Sequence, residues 1–356
     1  MNRTIRDLPA VRAVLERHAC AQDLDSYAVL ARFGGAKATV TSQNVNEDTL
    51  FDMASCGKAL VTTPLVLQAV SRGFLRLDQT LPDFFSDVPA DIRGVTVTHL
   101  LTHTSGICRS QLTAPQTDDR RGEFLRQIFA APRAFAPGSD YKYSCHGMIL
   151  LGYILETVYG KSLEDVFREN LSEPLGYTRS RFNVDFGEEN IAVSYHWDAP
   201  EPYPFARPWD DENIRVLGTS AGSGGQFFSL SDIDKYITAL LKKDERLYRK
   251  DLFDRAERDH TPDFAEGRGL GFWLADRRFP EAAALFPAGT FGHIGSTGTS
   301  FFLNRQADGA VVILTNMRRF VNRGGVSYDD YMRRFFALRQ EIYAAVKEDG
   351  ACFSDR

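Results

Sequence analysis

The sequence has no long uninterrupted hydrophobic segment. Its longest apolar stretches, such as Met148–Leu151 and Val311–Leu314, are far shorter than the roughly 20 residues that a membrane-spanning helix needs. The amino-terminal sequence MNRTIRDLPAVRAVLERHA also lacks the run of roughly 7–15 apolar residues that defines a secretory signal. We therefore expect a protein without a membrane-spanning helix, in the cytoplasm.

Cysteine is sparse, and no pair of cysteines has CxxC spacing. The chain of 356 residues contains five: Cys20, Cys56, Cys108, Cys145 and Cys352. An odd, scattered set is typical of reduced thiols, and it does not fit a disulfide framework or a zinc site. A net charge of -5 provides no basic face for nucleic acid. We expect no metal, no cofactor and no nucleic-acid partner; oligomeric state is not predictable from these features.

Strand-like segments lie near both ends of the sequence, and helical segments lie between them. β-branched and apolar runs predict strands at Ser26–Arg32, Ala36–Thr41, Ser300–Leu303 and Ala310–Thr315. Apolar periodicity predicts helices at residues 8–19, Ser55–Val70, Gly147–Val158 and Ser327–Val346. The simplest assembly is an α/β fold of the α+β type, with one antiparallel sheet built from both termini and flanked by helices. Residues 1–85 and 216–356 would form this domain, and residues 86–215 an inserted, mainly helical one.

The tetrad Ser55-Cys56-Gly57-Lys58 opens the predicted apolar helix. Residues three apart share a helix face, so the Lys58 ammonium can approach the Ser55 hydroxyl. A serine hydroxyl is a weak nucleophile until a neighbouring base takes its proton, and burial can lower the pKa of a lysine enough for that task. Taken alone, the tetrad is weak evidence, because such tetrads occur by chance in many proteins, and an N-capping serine with a solvated lysine is then the better interpretation.

Two other patterns suggest different chemistry. Gly218-Thr219-Ser220-Ala221-Gly222 is a formal G-x-S-x-G nucleophile elbow, but it follows a poor strand and continues into a glycine-rich loop. His99 and His103 have a zinc-compatible spacing, but they lack the glutamate of an H-E-x-x-H arrangement. We interpret the first as a loop beside the site and the second as a helix end.

Four further segments follow the tetrad in a consistent order: Val95–Ile107, Pro137–Gly152, Pro174-Leu175-Gly176 and Phe291–Ser300. Together with S-x-x-K, they resemble the serine β-lactamase and penicillin-binding-protein superfamily, especially its class C-like esterase and DD-peptidase branch. The resemblance runs from about residue 50 to residue 317. It implies a β-lactamase/transpeptidase-like fold and serine acyl-transfer chemistry.

The resemblance also implies a role for each matching residue. Ser55 would be the acylated nucleophile, Lys58 its helper, and Tyr143 the phenol that relays protons. The backbone N–H groups of Ser55 and Ser296 would form the oxyanion hole, which can be worth about 3–4 kcal/mol in the transition state. His293-Ile294-Gly295 would occupy the strand position of Lys-Thr-Gly, with His293 and Gly295 facing the substrate.

Two departures from the family pattern change the expected substrate. Cys145 stands where the family usually has the asparagine of Tyr-x-Asn, and a thiol is a weak donor and acceptor. His293 replaces a lysine, so the positive charge that meets a substrate carboxylate is lost or depends on pH. Both favour a small-molecule or peptide-like ester or amide over a β-lactam.

Three functions are consistent with these residues. The first is a serine hydrolase that forms an acyl-enzyme at Ser55. The second is a transacylase that passes the acyl group to an amine or alcohol, and the third is a non-catalytic binding or sensor homologue. Trp273, in the segment Gly269–Ala275, either lines the substrate pocket or packs in the core.

Overall fold

A six-stranded antiparallel sheet forms the centre of the fold. The computed structural model describes residues 7–108, 110–185, 187–194, 209, 211–317 and 326–349, so Cys352 lies outside the described residues. The strand order is β2-β1-β9-β8-β7-β6. These strands are β1 (Tyr27–Phe33), β2 (Ala36–Thr41), β6 (Trp273–Leu274), β7 (Phe291–Ile294), β8 (Ser300–Asn304) and β9 (Gly309–Thr315).

The sheet joins the two ends of the chain, as the sequence predicts. β1 pairs with β2 through a hairpin whose turn residues Gly34 and Gly35 both have positive φ angles, 56° and 83°. Glycine adopts this conformation without the steric cost that other residues incur. On its other edge β1 pairs with β9, where Val29 lies opposite Ile313. The predicted antiparallel sheet from both termini is therefore confirmed.

Helices flank this sheet and fill the middle of the chain. The predicted helices at residues 8–19, Gly147–Val158 and Ser327–Val346 are confirmed, each within a few residues of its predicted ends. The helices are α1 (Pro9–Cys20), α2 (Thr63–Ser71), α3 (Val97–Leu101), α4 (Arg120–Ala130), α5 (Cys145–Tyr159), α6 (Leu163–Phe167), α7 (Glu173–Leu175), α8 (Glu212–Leu217), α9 (Leu230–Leu241), α10 (Lys250–Glu257), α11 (Pro280–Leu285) and α12 (Tyr328–Glu348). None of the helices in the described ranges combines the length and apolar character needed to cross a bilayer.

Two apolar clusters cover the two faces of the sheet. Along β1, Ala28 and Leu30 belong to one cluster, and Val29 and Ala31 belong to the other. This alternation follows from the two-residue period of a strand. The cluster around Val29 packs against the terminal helices α1 and α12, and the cluster around Leu30 packs against α2, α5 and α9. The cluster around Leu30 includes side chains from both predicted domains. The domain boundaries stay a prediction.

A second, three-stranded sheet positions the start of the α2 region. Its central strand β3 (Leu50–Asp52) pairs with β4 (Ile191–Ala192) and with β5 (Phe227–Phe228). Ser55 follows β3 by three residues, so this small sheet sets the position from which the tetrad enters its helix.

Candidate active site

Ser55 lies at a sharp bend between β3 and the helix that follows. Ala54, just before it, has a φ of 45°, a left-handed conformation that is uncommon for any residue other than glycine. The Asp52 carboxylate accepts the Ala54 N–H at 2.8 Å and holds this bend. Ser55 is partly exposed, whereas Ala54 and Cys56 on either side are buried. The bend therefore presents the Ser55 hydroxyl at the surface of an otherwise buried segment.

The helix after Ser55 contains a π-helical turn over Lys58–Thr62 and continues as α2. Such turns are rare and often occur at functional sites. Lys58 is fully buried, and its Nζ donates to the Ser55 Oγ at 2.9 Å and to the Ser223 carbonyl at 2.6 Å. The same Nζ lies 5.3 Å from the centroid of the Tyr143 ring. The structure thus brings Ser55, Lys58 and Tyr143 together.

The predicted lowering of the Lys58 pKa is wrong in direction. Burial disfavours the ammonium form, but the nearby Cys145 and Tyr143 groups and a hydrogen bond to Tyr143 outweigh burial and raise the pKa of Lys58. Sequence alone shows that a lysine is buried, not which acidic groups tertiary packing places beside it. Lys58 therefore carries its proton at neutral pH.

Tyr143 lies directly before α5, at the edge of the site. Its neighbour Ser144 caps α5, and the Ser144 N–H donates to the His103 Nδ1 at 3.2 Å. The His103 ring lies 4.5 Å from the Tyr143 ring, centroid to centroid. Burial raises the pKa of the Tyr143 phenol, although Lys58 nearby and hydrogen bonds to Ser55 and Lys58 oppose that shift. Tyr143 is therefore protonated at neutral pH and within hydrogen-bonding reach of Ser55.

The two residues that depart from the family pattern are both buried. Cys145 is the first residue of α5 and is 3% exposed. His293 lies in β7, and its Nδ1–H donates a hydrogen bond to the Ile294 carbonyl oxygen, 2.8 Å from Nδ1. Burial, then the Arg268 and Lys58 cations, hold the pKa of His293 well below its usual value. His293 is thus neutral at neutral pH, and of the two alternatives for this position, a lost charge or a pH-dependent one, its burial favours the lost charge.

The turn between β7 and β8 packs against the bend at Ser55. The Thr297 hydroxyl donates to the Asp52 carbonyl at 2.7 Å, and the Thr299 hydroxyl donates to the Met53 carbonyl at 3.2 Å. These bonds hold Ser296 beside the bend that carries Ser55. The assignment of the Ser55 and Ser296 N–H groups to an oxyanion hole stays a prediction, and this arrangement supports it.

Gly295 is required by the closeness of this packing. A Cβ at this position would lie 2.4 Å from the Thr299 Oγ1 and 2.5 Å from the Met53 carbonyl oxygen. Real Cβ atoms do not approach other atoms so closely, so either the turn or the bend must move. We infer that Gly295 sets the distance between the Ser296 N–H and Ser55.

Replacing Gly295 by alanine is expected to lower kcat/KM for an activated ester by about 10²-fold, the usual cost of misplacing one oxyanion-hole donor. Steady-state hydrolysis of a p-nitrophenyl ester measures the effect. Gly94→Ala is the matched control, because a Cβ at the exposed Gly94 meets nothing within 4 Å. A Gly295→Ala protein with the wild-type kcat/KM would contradict the inference.

The Trp273 ring packs against the Tyr143 ring. It is 5% exposed, and its ring lies nearly parallel to the Tyr143 ring, at 10° and 6.2 Å between centroids. Of the two interpretations of Trp273, core packing matches its burial, and its contact with Tyr143 connects that packing to the site.

The two alternative patterns have structural roles. The helix α8, not a strand, precedes Gly218, and the buried Ser220 hydroxyl donates to the Gly225 carbonyl at 2.5 Å. The His99 Nδ1 accepts the Thr96 N–H at 3.2 Å and closes the first turn of α3. Within the described ranges, no group of three or more His, Cys, Asp or Glu side chains is arranged to hold a metal ion.

Sequence reasoning missed two features of the site. The sequence predicts a glycine-rich loop beside the site, but not that the Ser223 carbonyl in this loop accepts a hydrogen bond from Lys58. Arg268 is fully buried, with its guanidinium carbon 6.0 Å from the Tyr143 ring centroid. An arginine in a run of apolar and glycine residues gives no local indication of this placement.

Comparison with known proteins decides the family. The sequence model described as Beta-lactamase matches residues 23–330. The chain belongs to the beta-lactamase family. The resemblance inferred from the motifs is therefore confirmed, and the chain is an enzyme of the beta-lactamase-like superfamily.

Among relatives in this family, esterase EstB of Burkholderia gladioli is 32% identical over 344 residues, covering 84% of this chain and 83% of the esterase. Acyltransferase mokF of Monascus pilosus is 28% identical over 236 residues, covering 58% of this chain and 56% of the acyltransferase. The solved structure of EstCE1, a hydrolase with promiscuous acyltransferase activity, matches with a TM-score of 0.73 and 22% identity, covering 94% of this chain and 98% of that one. The last comparison confirms the fold.

Proposed function

We propose that this enzyme is a serine hydrolase that forms an acyl-enzyme at Ser55 and cleaves an ester or amide of a small or peptide-like molecule. One observation carries the proposal: the buried Lys58 ammonium lies 2.9 Å from the hydroxyl of the partly exposed Ser55. The Tyr143 phenol completes the group as a second proton carrier. A nucleophile, a cation and a relay at one point are the components that acyl transfer needs.

The reaction begins when the Lys58–Tyr143 pair has lost one proton. The Tyr143 oxygen then takes the Ser55 hydroxyl proton while Oγ bonds to the substrate carbonyl carbon, with Lys58 stabilising the negative charge. Tyr143 next gives that proton to the leaving oxygen or nitrogen as its bond to carbon breaks. In the second half, water loses a proton to Tyr143 and releases the acid, and Ser55 regains its proton. The apparent pKa of this process belongs to the pair, not to either residue.

The surroundings of the nucleophile favour an ester over a β-lactam or a peptide. His293 is neutral and buried, so it provides no cation for a substrate carboxylate. Cys145 offers a weak donor where an amide substrate would meet a carboxamide. An ester needs neither contact, since its carbonyl is more reactive and its leaving group is easily protonated. The similarity to esterase EstB points the same way.

Intact-mass measurement of the wild-type protein tests the proposal. After exposure to p-nitrophenyl esters, one acyl group per chain is expected, located on the Ser55 peptide and released over time. The same panel should include β-lactams, which we expect to acylate the protein slowly. A protein that acquires no adduct from any ester would be a binding or sensor homologue, and the proposal would be wrong.

The similarity to acyltransferase mokF favours acyl transfer as a second candidate function. In that reaction an alcohol or amine, not water, receives the acyl group from Ser55. Product analysis at increasing acceptor concentration separates the two functions. Transfer that exceeds hydrolysis at millimolar acceptor supports the transferase, and hydrolysis that dominates at every concentration supports the hydrolase.

A further inference from the structure

Arg268 is a fully buried cation with no hydrogen-bond partner. Its side chain has no exposed surface, and none of its three guanidinium nitrogens bonds to any group in the part of the chain that the structure describes. Buried charges in proteins are normally paired and hydrogen-bonded, because desolvation of an unpaired charge is costly. Such a group destabilises the fold unless it serves another purpose, and its location indicates which purpose.

Aromatic rings of the active site surround Arg268. Its guanidinium carbon lies 4.1 Å from the Trp273 ring centroid, 6.0 Å from the Tyr141 centroid and 6.0 Å from the Tyr143 centroid. Cation–π attraction to these rings offsets part of the desolvation cost. Glu266, two residues earlier, pairs with Arg278 and acts on Arg268 only through space, raising the pKa of its guanidinium. Among the described residues the guanidinium therefore has no hydrogen-bonded carboxylate, and its positive charge lies beside the Tyr143 ring.

A negative charge arises in this place only during the reaction. When the Lys58–Tyr143 pair loses a proton, the Tyr143 oxygen becomes phenolate-like, and it holds that charge until it accepts the proton of Ser55. The His293 ring lies 6.3 Å from the Tyr143 ring, centroid to centroid, but His293 is neutral and adds no charge there. Arg268 comes from a different segment, just before β6, and faces the same ring.

We propose that Arg268 is a positioning residue that stabilises negative charge on the Tyr143 oxygen and thereby raises, at neutral pH, the fraction of the Lys58–Tyr143 pair that has lost a proton and can accept the proton of Ser55. The inference rests on the proposed acyl transfer at Ser55. Arg268 acts through Tyr143 and does not touch the substrate. Because the guanidinium makes no hydrogen bond within the described residues, no such bond has to break as the charge on Tyr143 develops.

The direction of the effect follows from the charges around Tyr143. Burial lowers the pKa of Arg268, but a guanidinium stays protonated at neutral pH. A fixed cation favours loss of a proton from the Lys58–Tyr143 pair, whichever member loses it. The charged or titratable groups that face Tyr143 are Lys58 before α2, Cys145 on α5, His103 after α3, Tyr141 in its own segment, His293 on β7 and Arg268 before β6.

The pH dependence of acylation tests this role. In Arg268→Met, the rising limb of the acylation rate against pH is expected to move upward by about one to two pH units, from the strength of a charge–charge interaction at this distance in a protein. At pH 7 the rate should fall about 10–100-fold, and at high pH it should approach the wild-type rate. Arg268→Lys, which keeps the charge, should leave the limb close to its wild-type position.

Thermal melting separates this role from a structural one. Removal of an unpaired buried cation is expected to leave the melting temperature of Arg268→Met unchanged or higher. A structural arginine would give a lower melting temperature and an unmoved limb, and that result would overturn the proposal. Arg268→Gln, which also loses the charge, provides the same readout if the methionine variant is insoluble.

Arg278→Met is the matched control, because Arg278 also stacks on Trp273, at 5.0 Å, but is paired with Glu266. The rising limb of the acylation rate of Arg278→Met should stay at the wild-type pH. A shift equal to that of Arg268→Met would overturn the proposal that Arg268 in particular acts on Tyr143. If wild-type protein forms no Ser55 adduct, the proposed function and this inference both fail. If the adduct forms and Arg268→Met leaves the limb unmoved, only the inference fails.

Discussion

Ser55→Ala is expected to abolish covalent labelling by a fluorophosphonate and to reduce ester hydrolysis to the uncatalysed background. In the proposed mechanism the phosphorus or acyl carbon bonds to the Ser55 oxygen, and the alanine variant has no atom that can replace it. Loss of the catalytic serine of a serine protease costs about 10⁶-fold in kcat, and we expect a loss of that order here. Gel fluorescence after labelling, followed by ester hydrolysis over several hours, covers this range.

Ser220→Ala is the matched control for this prediction. Ser220 occupies the centre of the formal G-x-S-x-G pattern, yet it is buried and bonded to the Gly225 carbonyl. Its alanine variant should retain labelling and lose about 1 kcal/mol of stability with that hydrogen bond. Labelling that survives in Ser55→Ala and disappears in Ser220→Ala would reverse the assignment of the nucleophile.

Features that depend on residues close in sequence could be predicted without the structure. The Gly34–Gly35 hairpin, the amphipathic terminal helices and the Ser55–Lys58 contact each follow from a local period or spacing. A spacing of three residues along a helix places Lys58 beside Ser55, and this follows from helix geometry alone. The match of Tyr143 and His293 to a known order of motifs extended this reasoning to residues far apart in the chain.

Features that depend on tertiary packing could not be predicted in this way. The direction of the Lys58 pKa shift depends on Cys145 and Tyr143, which a different helix brings beside it. Burial alone would lower that pKa, so a prediction from hydrophobicity has the wrong sign. Arg268 reaches the site because β6, which follows it, is the edge strand of the sheet and pairs with β7. The sequence around Arg268 does not specify this strand order.

In the proposed mechanism the site combines one mobile proton with one fixed cation, Arg268, beside it. Lys58 and Tyr143 hold the proton, and the raised pKa of both places the start of acylation on the alkaline side of neutrality. The acylation rate should accordingly rise with pH through neutrality. His293 does not contribute a charge, and Arg268 remains as the cation opposite Lys58.

Lys58→Met is expected to lower kcat/KM for an activated ester by about 10³–10⁴-fold at pH 7, the upper part of the range for loss of a proton-transfer group. The methionine side chain fills a similar volume in the buried position, so the bend at Ser55 should persist. Without the Lys58 ammonium, burial of Tyr143 is no longer opposed by its nearest cation, and the pKa of the phenol rises further. The rising limb of the acylation rate should therefore move to higher pH, and the loss of activity should shrink as the pH is raised.

Lys142→Met is the control for Lys58→Met, because Lys142 is the exposed neighbour of Tyr143 and carries the same charge. It should keep the wild-type rate and pH profile. Fluorophosphonate labelling of Lys58→Met should still occur at Ser55, but at a rate reduced in proportion to kcat/KM, which shows that the nucleophile is present and only its activation is lost. A Lys58→Met protein with kcat/KM within tenfold of the wild type would exclude Lys58 from proton transfer, and Tyr143 alone would then have to activate Ser55.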